Sequence, residues 1–383
     1  MRFVILGAGL QGSACAFDLL RRGGVDHVVL ADMNVSDLPP FLEPYRGDER
    51  LERVQVDAND DDAVRAVLDG AVACMNALPY YFNLDMARLA VEAGAHYADL
   101  GGNTRIVQEQ LKLDELARAR GVSVIPDTGL APGMVNILAA AGIAAMDQVD
   151  AVRIRVGGLP KDPEGALRYQ IVYSLEGVLD YYTTRSWILR EGRPTEVEAL
   201  SEVEAVEFPE PVGTLEAFHT AGGLSTMPWD YQGRIPTMEY KTLRYPGHAA
   251  IVRAIRDLGL LELEPVDVDG TPVVPRDLFI AVVDPKLRKP GSPDLVALRV
   301  EVTGELDGRP RRVQYDLLDY YNPSTGVSAM ERTTGYSLAI TGRMQADGRI
   351  ESAGVSTPDR GVPPDAYIRE LAERGVVIQK TES

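Results

Sequence analysis

Cysteine is almost missing from this chain, with two residues, Cys15 and Cys74, in 383. Both sit inside apolar runs, which excludes a disulfide framework and predicts reduced core thiols, as in a cytoplasmic protein. Histidine is nearly as scarce. The four present, His27, His96, His219 and His248, show no metal-ligand spacing among themselves or with the cysteines. P-loop, nucleophile-elbow and HExxH patterns are missing as well, so neither metal chemistry nor acyl transfer has support, and no metal is expected. Positive charge is short, with 39 Lys and Arg against 57 Asp and Glu and a net charge of −18. No basic surplus is left to neutralise phosphates, which argues against a nucleic-acid partner. Long apolar runs are missing too. The longest, Met134 to Met146, is interrupted by Asn136 and is too short to span a bilayer, so no membrane partner is expected. No signal-peptide pattern precedes the first strand, consistent with a cytoplasmic location.

What remains is an ordinary soluble composition, 45% apolar and 25% charged, in a chain long enough for two domains with sizeable cores. Its most informative stretch is MRFVILGAGLQG at the start. Phe3 to Leu6 reads as a buried parallel strand. Gly7, Gly9 and Gly12 then provide a tight turn, a close backbone approach and a close helix-strand contact. Leu10, Ala14, Phe17 and Leu20 recur at helical spacing until Gly23-Gly24 stops the helix. Its N-terminus, including Leu10 and Gln11, offers unpaired N–H groups and a positive dipole end to a pyrophosphate. A second strand, Val28 to Ala31, delivers Asp32, whose carboxylate can accept both ribose hydroxyls of an adenosine. A carboxylate there would repel a 2′-phosphate, and no basic residue follows before Arg46, so the cofactor expected is NAD.

The strand-helix alternation continues. Strands are expected at Val54–Val56, Ala71–Met75, His96–Ala98 and Val122–Ile125, with helices at Asp62–Leu68, Asn83–Ala93 and Gln108–Ala119. Six strands with five crossovers make a complete Rossmann-type, doubly wound parallel sheet. After Asp127 a Gly/Pro-rich bridge leads to a helix, Met134–Ala145. From Asp150 to about Tyr321 the pattern becomes strand-rich, predicting an α+β domain with a mixed sheet. Strands are expected at Ala151–Val156, Leu278–Val283, Leu295–Val302 and Arg311–Leu317. Helices follow at Met330–Met344 and Pro364–Arg374, then a last strand at Val376–Ile378. Ligands in such sheets sit outside the carboxyl ends of the strands. Asp57 and Ala58 are therefore expected beside the adenine, and Asn76, Ala77 and Leu78 beside the nicotinamide ribose. Asp99, Leu100 and Gly101, with Asp127, Gly129 and Pro132, would close the crevice under the second domain. Asp99 and Asp127 read equally well as turn or capping residues.

With these residues in view, the chain resembles the saccharopine dehydrogenase-like superfamily, and within it the L-lysine 6-dehydrogenases. The matching stretches are GAGLQG, NALPYYFN from Asn76, DLGG from Asp99 and PDTGLAPGMVN from Pro126. Further on they are YSLEGVLDYYT from Tyr173, LEAFHTAGG from Leu215 and EYKTLRYPGH from Glu239. The resemblance implies an NAD-binding domain of residues 1–127 and 328–383, and an inserted substrate-binding and dimerisation domain of residues 128–327 that forms a homodimer. It implies oxidative deamination of the lysine ε-amine by hydride transfer from Cε. The product is 2-aminoadipate 6-semialdehyde, which cyclises to piperideine-6-carboxylate, and ammonia is released.

That reaction needs a carboxylate anchor, a base and a dry crevice. Arg244 suits the anchor, because a guanidinium grips a carboxylate in a two-point fork. Glu176 is the candidate site acid and His219 the candidate base. Tyr173, Glu216, Thr220, Lys241 and His248 are further candidates, with Asp99 in reach of the same small-molecule amino-acid substrate. Besides a polyamine-forming relative, two alternatives stay open. One is a saccharopine reductase with additional cationic anchors at Arg168, Arg185 or Lys241. The other is a non-catalytic NAD-binding sensor.

Overall fold

The computed structural model describes residues 1–171, 175–289, 291–351 and 353–383. The first half alternates as β1 (Arg2–Leu6), α1 (Leu10–Leu20), β2 (His27–Asp32), β3 (Leu51–Gln55), α2 (Asp61–Leu68), β4 (Ala73–Asn76), α3 (Asn83–Glu92), β5 (His96–Asp99), α4 (Thr104–Gln110), α5 (Asp114–Arg120) and β6 (Ser123–Ile125). The strands are parallel in the order β6-β5-β4-β1-β2-β3. Phe3, Val4 and Ile5 are fully buried, because helices cover both faces of a parallel sheet and an unbroken apolar run suits that position. The chain reverses its winding between β1 and β4, which opens a crevice at their carboxyl ends. The helix expected over Gln108–Ala119 is two helices joined by a 3-10 turn at Leu111–Leu113. The strand expected at Val54–Val56 runs earlier, over Leu51–Gln55.

The second half runs through α6 (Met134–Ala144), β7 (Gln148–Pro160), α7 (Leu175–Thr183), β8 (Ser186–Arg190), β9 (Arg193–Val197), β10 (Glu204–Glu207), β11 (Thr214–His219), α8 (Met227–Asp230), β12 (Thr237–Arg244), α9 (His248–Asp257), β13 (Val266–Val268), β14 (Thr271–Val273), α10 (Pro275–Leu287), β15 (Asp294–Leu306) and β16 (Arg309–Tyr320). A nine-stranded mixed sheet forms in the order β10-β11-β12-β7-β15-β16, with β8 and β9 attached through β12 and a last strand beside β16. The β12–β7 pair is parallel and its other pairings are antiparallel. Alternation along β7 sends Val152, Ile154 and Val156 into a core shared with Ile137 and Leu138 of α6, and turns Arg153 and Arg155 to the opposite face.

The strand expected at Leu278–Val283 is instead the middle of α10. A short apolar run does not distinguish strand from buried helix, and the deciding signals are Pro275 in the first helical turn and Asp277 after it. Leu278 and Val282 are half exposed, so this helix lies on the surface.

After β16 the chain enters α11 (Ala329–Ala346), opened by a capping box in which Ser328 Oγ accepts from the Glu331 N–H and Glu331 accepts from the Ser328 N–H. This helix is buried along nearly its whole length and packs on α1, β4 and β5 as well as on β15. Two glycines permit the approach. A Cβ on Gly335 would stand 2.6 Å from the Gln11 carbonyl oxygen, and one on Gly342 2.4 Å from the Met75 sulfur. Then β17 (Gly354–Val355) adds a seventh strand beside β6, one more than the six expected. After α12 (Pro358–Gly361) and α13 (Pro364–Glu373), β18 (Gln379–Glu382) pairs with β16. The last strand thus begins just after the expected Val376–Ile378, because Val376 is fully buried in the core at the end of α13.

Candidate functional site

The glycine turn has the geometry of a dinucleotide cradle. Gly7 has φ of 99°, and a Cβ there would lie 2.9 Å from the Ala77 carbonyl carbon. A Cβ on Gly12 would come within 1.8 Å of the Gly7 carbonyl oxygen. Around Gly9, the residue that precedes α1, a Cβ would meet open space. Gly7 and Gly12 are therefore fixed by packing, whereas Gly9 leaves room for a ligand. The buried amide of Gln11 has neither its nitrogen nor its oxygen bonded within the protein, and Leu10 is 49% exposed. Open space at Gly9, an unsatisfied amide and the amino end of an eleven-residue helix together fit a pyrophosphate.

Asp32 closes the adenosine end. Its Oδ2 accepts from the Ala8 N–H at 2.7 Å and its Oδ1 from the Asn34 N–H at 3.1 Å, which leaves further lone pairs for ribose hydroxyls. Asp57 is exposed and accepts from Asn59, whose backbone N–H and amide hold its carboxyl below the usual range. Ala58 is half-buried next to it. A cavity of about 510 Å³ beyond Asp32 is lined by Asn34, Ser36, Arg46, Arg53 and Gln55. Counting along the chain from Asp32 passes over Arg53, which β3 brings into the same cavity as Arg46. Arg46 is paired with Glu43, and Arg53 donates to the Val35 carbonyl at 2.9 Å.

At the ends of β4, β5 and β6 the polar residues bond mostly to one another. Asn76 donates to Asn83 at 2.9 Å and to the Tyr97 hydroxyl at 3.0 Å, and its oxygen accepts from the Leu78 N–H. The Ala77 N–H continues the sheet by donating to the Leu6 carbonyl. Asp99 is fully buried, and both its oxygens are occupied. Oδ1 accepts from the Gly101 N–H at 2.8 Å and the Asp127 N–H at 3.0 Å, and Oδ2 accepts from Gln110 at 2.7 Å. Rather than reaching a substrate, Asp99 holds the turn after β5 (Leu100, Gly101) to the turn after β6. In that second turn Gly129 accepts from the Met134 N–H at 2.8 Å and the Ala131–Pro132 peptide is cis.

Alternation along β11 and β12 divides the remaining candidates between two faces of the mixed sheet. Phe218, Thr220, Tyr240, Thr242 and Arg244 face inward. Thr220 and Thr242 share a hydrogen bond of 2.7 Å. The Arg244 Nε donates to the Tyr182 hydroxyl at 3.1 Å, and the guanidinium lies 4.7 Å from the centre of the Tyr169 ring. His248 stacks on Phe218, bonds the Tyr182 hydroxyl through Nε2 at 3.0 Å and faces the Leu167 carbonyl through Nδ1. Burial, helped by the nearby Arg244 charge, pushes its pKa down to about 3, so it is a neutral structural ring. Glu216, also on this side, spends both oxygens on the Gly247 and Ala249 N–H groups at the start of α9. It caps that helix and is not free for a substrate.

His219 and Lys241 stand opposite one another on the other face. His219 is fully buried between the Tyr240 carbonyl, 3.1 Å from Nδ1, and Glu202, 3.2 Å from Nε2. Lys241 donates to the Glu202 carbonyl at 2.8 Å and sits 3.5 Å from Glu204. Glu202, His219 and Glu239 bring one ligand atom each within 4.8 Å of one another. Arg190 and Arg155 already neutralise the two carboxylates, at 2.8 Å and 3.1 Å. The sheet itself therefore separates His219 and Lys241 from Arg244. Glu176 is exposed in the first turn of α7, with Tyr80 of the other half in its field. Tyr173 lies outside the described residues.

Sequence reasoning missed the residues where the halves meet. Tyr181 fits between two glycines: a Cβ on Gly102 would be 3.3 Å from its hydroxyl, and one on Gly222 3.3 Å from its ring. Ser225 donates to Asp127 across the same junction. The GG pairs at 101–102 and 222–223 were the available signal.

Comparison with known proteins agrees with this architecture. Residues 3–125 match the family model described as the saccharopine dehydrogenase NADP binding domain, and residues 129–376 match the saccharopine dehydrogenase C-terminal domain. The NADP(+)-dependent, L-glutamate-forming saccharopine dehydrogenase of Pyricularia oryzae is 23% identical over 396 aligned positions, covering 84% of this chain and 86% of the relative. The enzyme of the same name from Saccharomyces cerevisiae is 21% identical, covering 98% of each chain. The apo structure of the L-Glu-forming saccharopine dehydrogenase from Saccharomyces cerevisiae superposes with a TM-score of 0.81 at 19% identity, over 100% of this chain and 99% of that one. A homospermidine synthase from Legionella pneumophila, solved with NAD, reaches 0.69 at 10% identity, over 100% and 91%.

Proposed function

From the premise that this chain belongs to the saccharopine dehydrogenase family, we propose that it is an NAD-dependent L-lysine 6-dehydrogenase. The observation that carries this reading is that, among the described residues, Arg244 is the one buried cation that the strands of the mixed sheet turn to its inward face, Arg276 of α10 being paired with Asp180. Lys241 lies on the opposite face, Arg168 is exposed, and Arg185 pairs with Glu196 and Glu198 at the surface. One buried guanidinium suits a substrate with one carboxylate. An aldehyde–glutamate adduct carries further carboxylates and needs further anchors.

The dinucleotide would lie on Gly9, Gln11 and Asp32 with its nicotinamide toward the ends of β4 to β6, where it would accept the hydride. Arg244, backed by Tyr169 and Tyr182, grips the α-carboxylate. Thr220, Thr242 and Tyr240 line the path from that anchor toward the junction of the halves. Tyr181, seated between Gly102 and Gly222, excludes water there. Residues 1–127 with 328–383 serve as the nucleotide-binding domain and residues 128–327 as the substrate-binding and dimerisation domain. The charged outer sheet face around Arg153, Arg299, Glu301 and Asp316 is the surface offered to a second copy.

The test is NADH formation with L-lysine, saccharopine, ornithine and diamines offered separately, together with ammonia release. Turnover on L-lysine supports the reading, and turnover on saccharopine alone replaces it. One observation favours NADP over NAD: the cavity holding Arg46 and Arg53 beyond Asp32. Dissociation constants for NADH and NADPH decide between them. Tighter NADPH binding would assign that cavity to the 2′-phosphate.

A further inference from the structure

Asp127 is a buried acid that dinucleotide binding leaves unexplained. It follows β6, in the half of the crevice where a nicotinamide lies, and is 1% exposed. Its φ is 60°, and Ser225, which meets it from the other half, has φ of 53°. Two non-glycine residues in the left-handed region, bonded to each other across a crevice, are costly to hold. One carboxylate oxygen accepts from Ser225, while the other, Oδ1, is buried without a hydrogen bond of normal geometry. That oxygen lies where a Cβ on Gly101 would stand, 1.7 Å away. The missing side chain on Gly101 thus makes room for a carboxylate.

We infer that Asp127 is the proton acceptor for the substrate amine, an assignment that rests on the amine dehydrogenase reading above. An ammonium cannot release hydride from the adjacent carbon, because no lone pair is available to stabilise the resulting cation. In the step assigned here, one proton moves from the ammonium to the carboxylate, so R–NH3⁺ and –COO⁻ become R–NH2 and –COOH, with charge and atoms conserved. Arg244 anchors the other end of the substrate in the second half, and Asp127 meets the amine where the halves join.

The surroundings suit this task. Burial first, and the charge of Asp99 next, push the Asp127 pKa up to about 7, while Ser225 and the Gly102 N–H pull the other way. Among the described residues, the titratable groups facing it are Asp99 at the end of β5, Asp359 on α12 and Tyr181 on α7. None of these is a cation. A base poised near neutrality both accepts and returns a proton readily. Asp99 acts as a positioning residue, since its Oδ1 holds the Asp127 N–H at 3.0 Å.

The test uses the full-length protein and the nearly isosteric Asp127→Asn. NADH binding by fluorescence should stay within about threefold of the parent, whereas kcat for the amine should fall about 10²–10⁴-fold. The acidic limb of the kcat profile should also disappear. A second variant, Ser225→Ala, removes a donor that favours the ionised form, so its acidic limb should move to higher pH. Independently of turnover, a carboxyl stretching band titrating near neutral pH should be present in the parent and absent from Asp127→Asn. If the parent oxidises the amine but Asp127→Asn keeps its kcat and its acidic limb, the base assignment fails alone. If Asp127→Asn loses NADH binding or the folded state, Asp127 is a scaffold residue and the assignment again fails. If the parent oxidises no amine, the amine dehydrogenase reading fails and takes this assignment with it.

Discussion

Arg244 and His248 are four residues apart and one turn of chain sets them side by side, yet they answer to different physics. Arg244 is a buried charge whose planar fork is matched to a carboxylate, so Arg244→Lys keeps the charge and loses the fork. We expect KM for the amino acid to rise by about tenfold or more while the Kd for NADH is unchanged, read by steady-state kinetics and fluorescence titration. His248 is held neutral, with a folded pKa lowered to about 3 from an ordinary 6.5. The unfolded chain therefore binds the extra proton first as pH falls, and the stability His248 contributes is complete above about pH 6.5 and drains away toward pH 3. In His248→Gln the decline of Tm between pH 6.5 and pH 4 should be shallower than in the parent. Asp127 has the opposite sign. Its raised folded pKa means stability is lost as pH climbs from about 4 to 7. Asp127→Asn should accordingly melt higher than the parent at pH 8 and close to it at pH 4.

Among the elements, the glycine turn between β1 and α1 was the most legible, with the packing at Gly7 and Gly12 as expected. Three glycines at fixed spacing have few structural uses, and the structure assigns one to each. Gly12→Ala forces a Cβ against the Gly7 carbonyl at 1.8 Å and should lower Tm by several degrees or prevent folding. Gly9→Ala meets no protein atom within 4 Å, so Tm should hold while NADH affinity falls. The β11–β12 pair was less legible. Its stretch from Glu239 to His248 reads as one dense polar site along the chain, but a strand deals alternate residues to opposite faces. Register, fixed by partners distant in sequence, put Lys241 opposite His219 on one face and Arg244 opposite Glu216 on the other. The six apolar residues from Leu278 carried too little periodicity to separate a strand from a surface helix, and Pro275 was the cue that settled it.

At the level of the whole molecule, the parallel sheet and its strand-end loops followed from local apolar runs and glycine spacing. The junction of the halves did not, since Ser225 and Asp127 are 98 residues apart in sequence and no local pattern links them. The proposed assembly of two copies through the outer face of the mixed sheet is tested at this scale. Light scattering should give twice the chain mass, and Arg299→Glu, which reverses charge beside Asp316, should shift that mass toward a single copy.

The placement of α11 also bears on how the protein is made. This helix and β17 come late in the chain, yet they complete the sheet that begins at Arg2, and Gly335 lies against the α1 backbone. A ribosome that has released residues 1–125 has produced Gly7, Gly9 and Gly12, but the apolar flank of α1 is still bare. That flank must wait for more than half the protein to emerge, so nascent chains arrested before Ala329 should be cut readily by protease and retained by holding chaperones. Release of about twenty further residues should confer resistance abruptly, making a late-translated helix the element that commits the first residues to their fold.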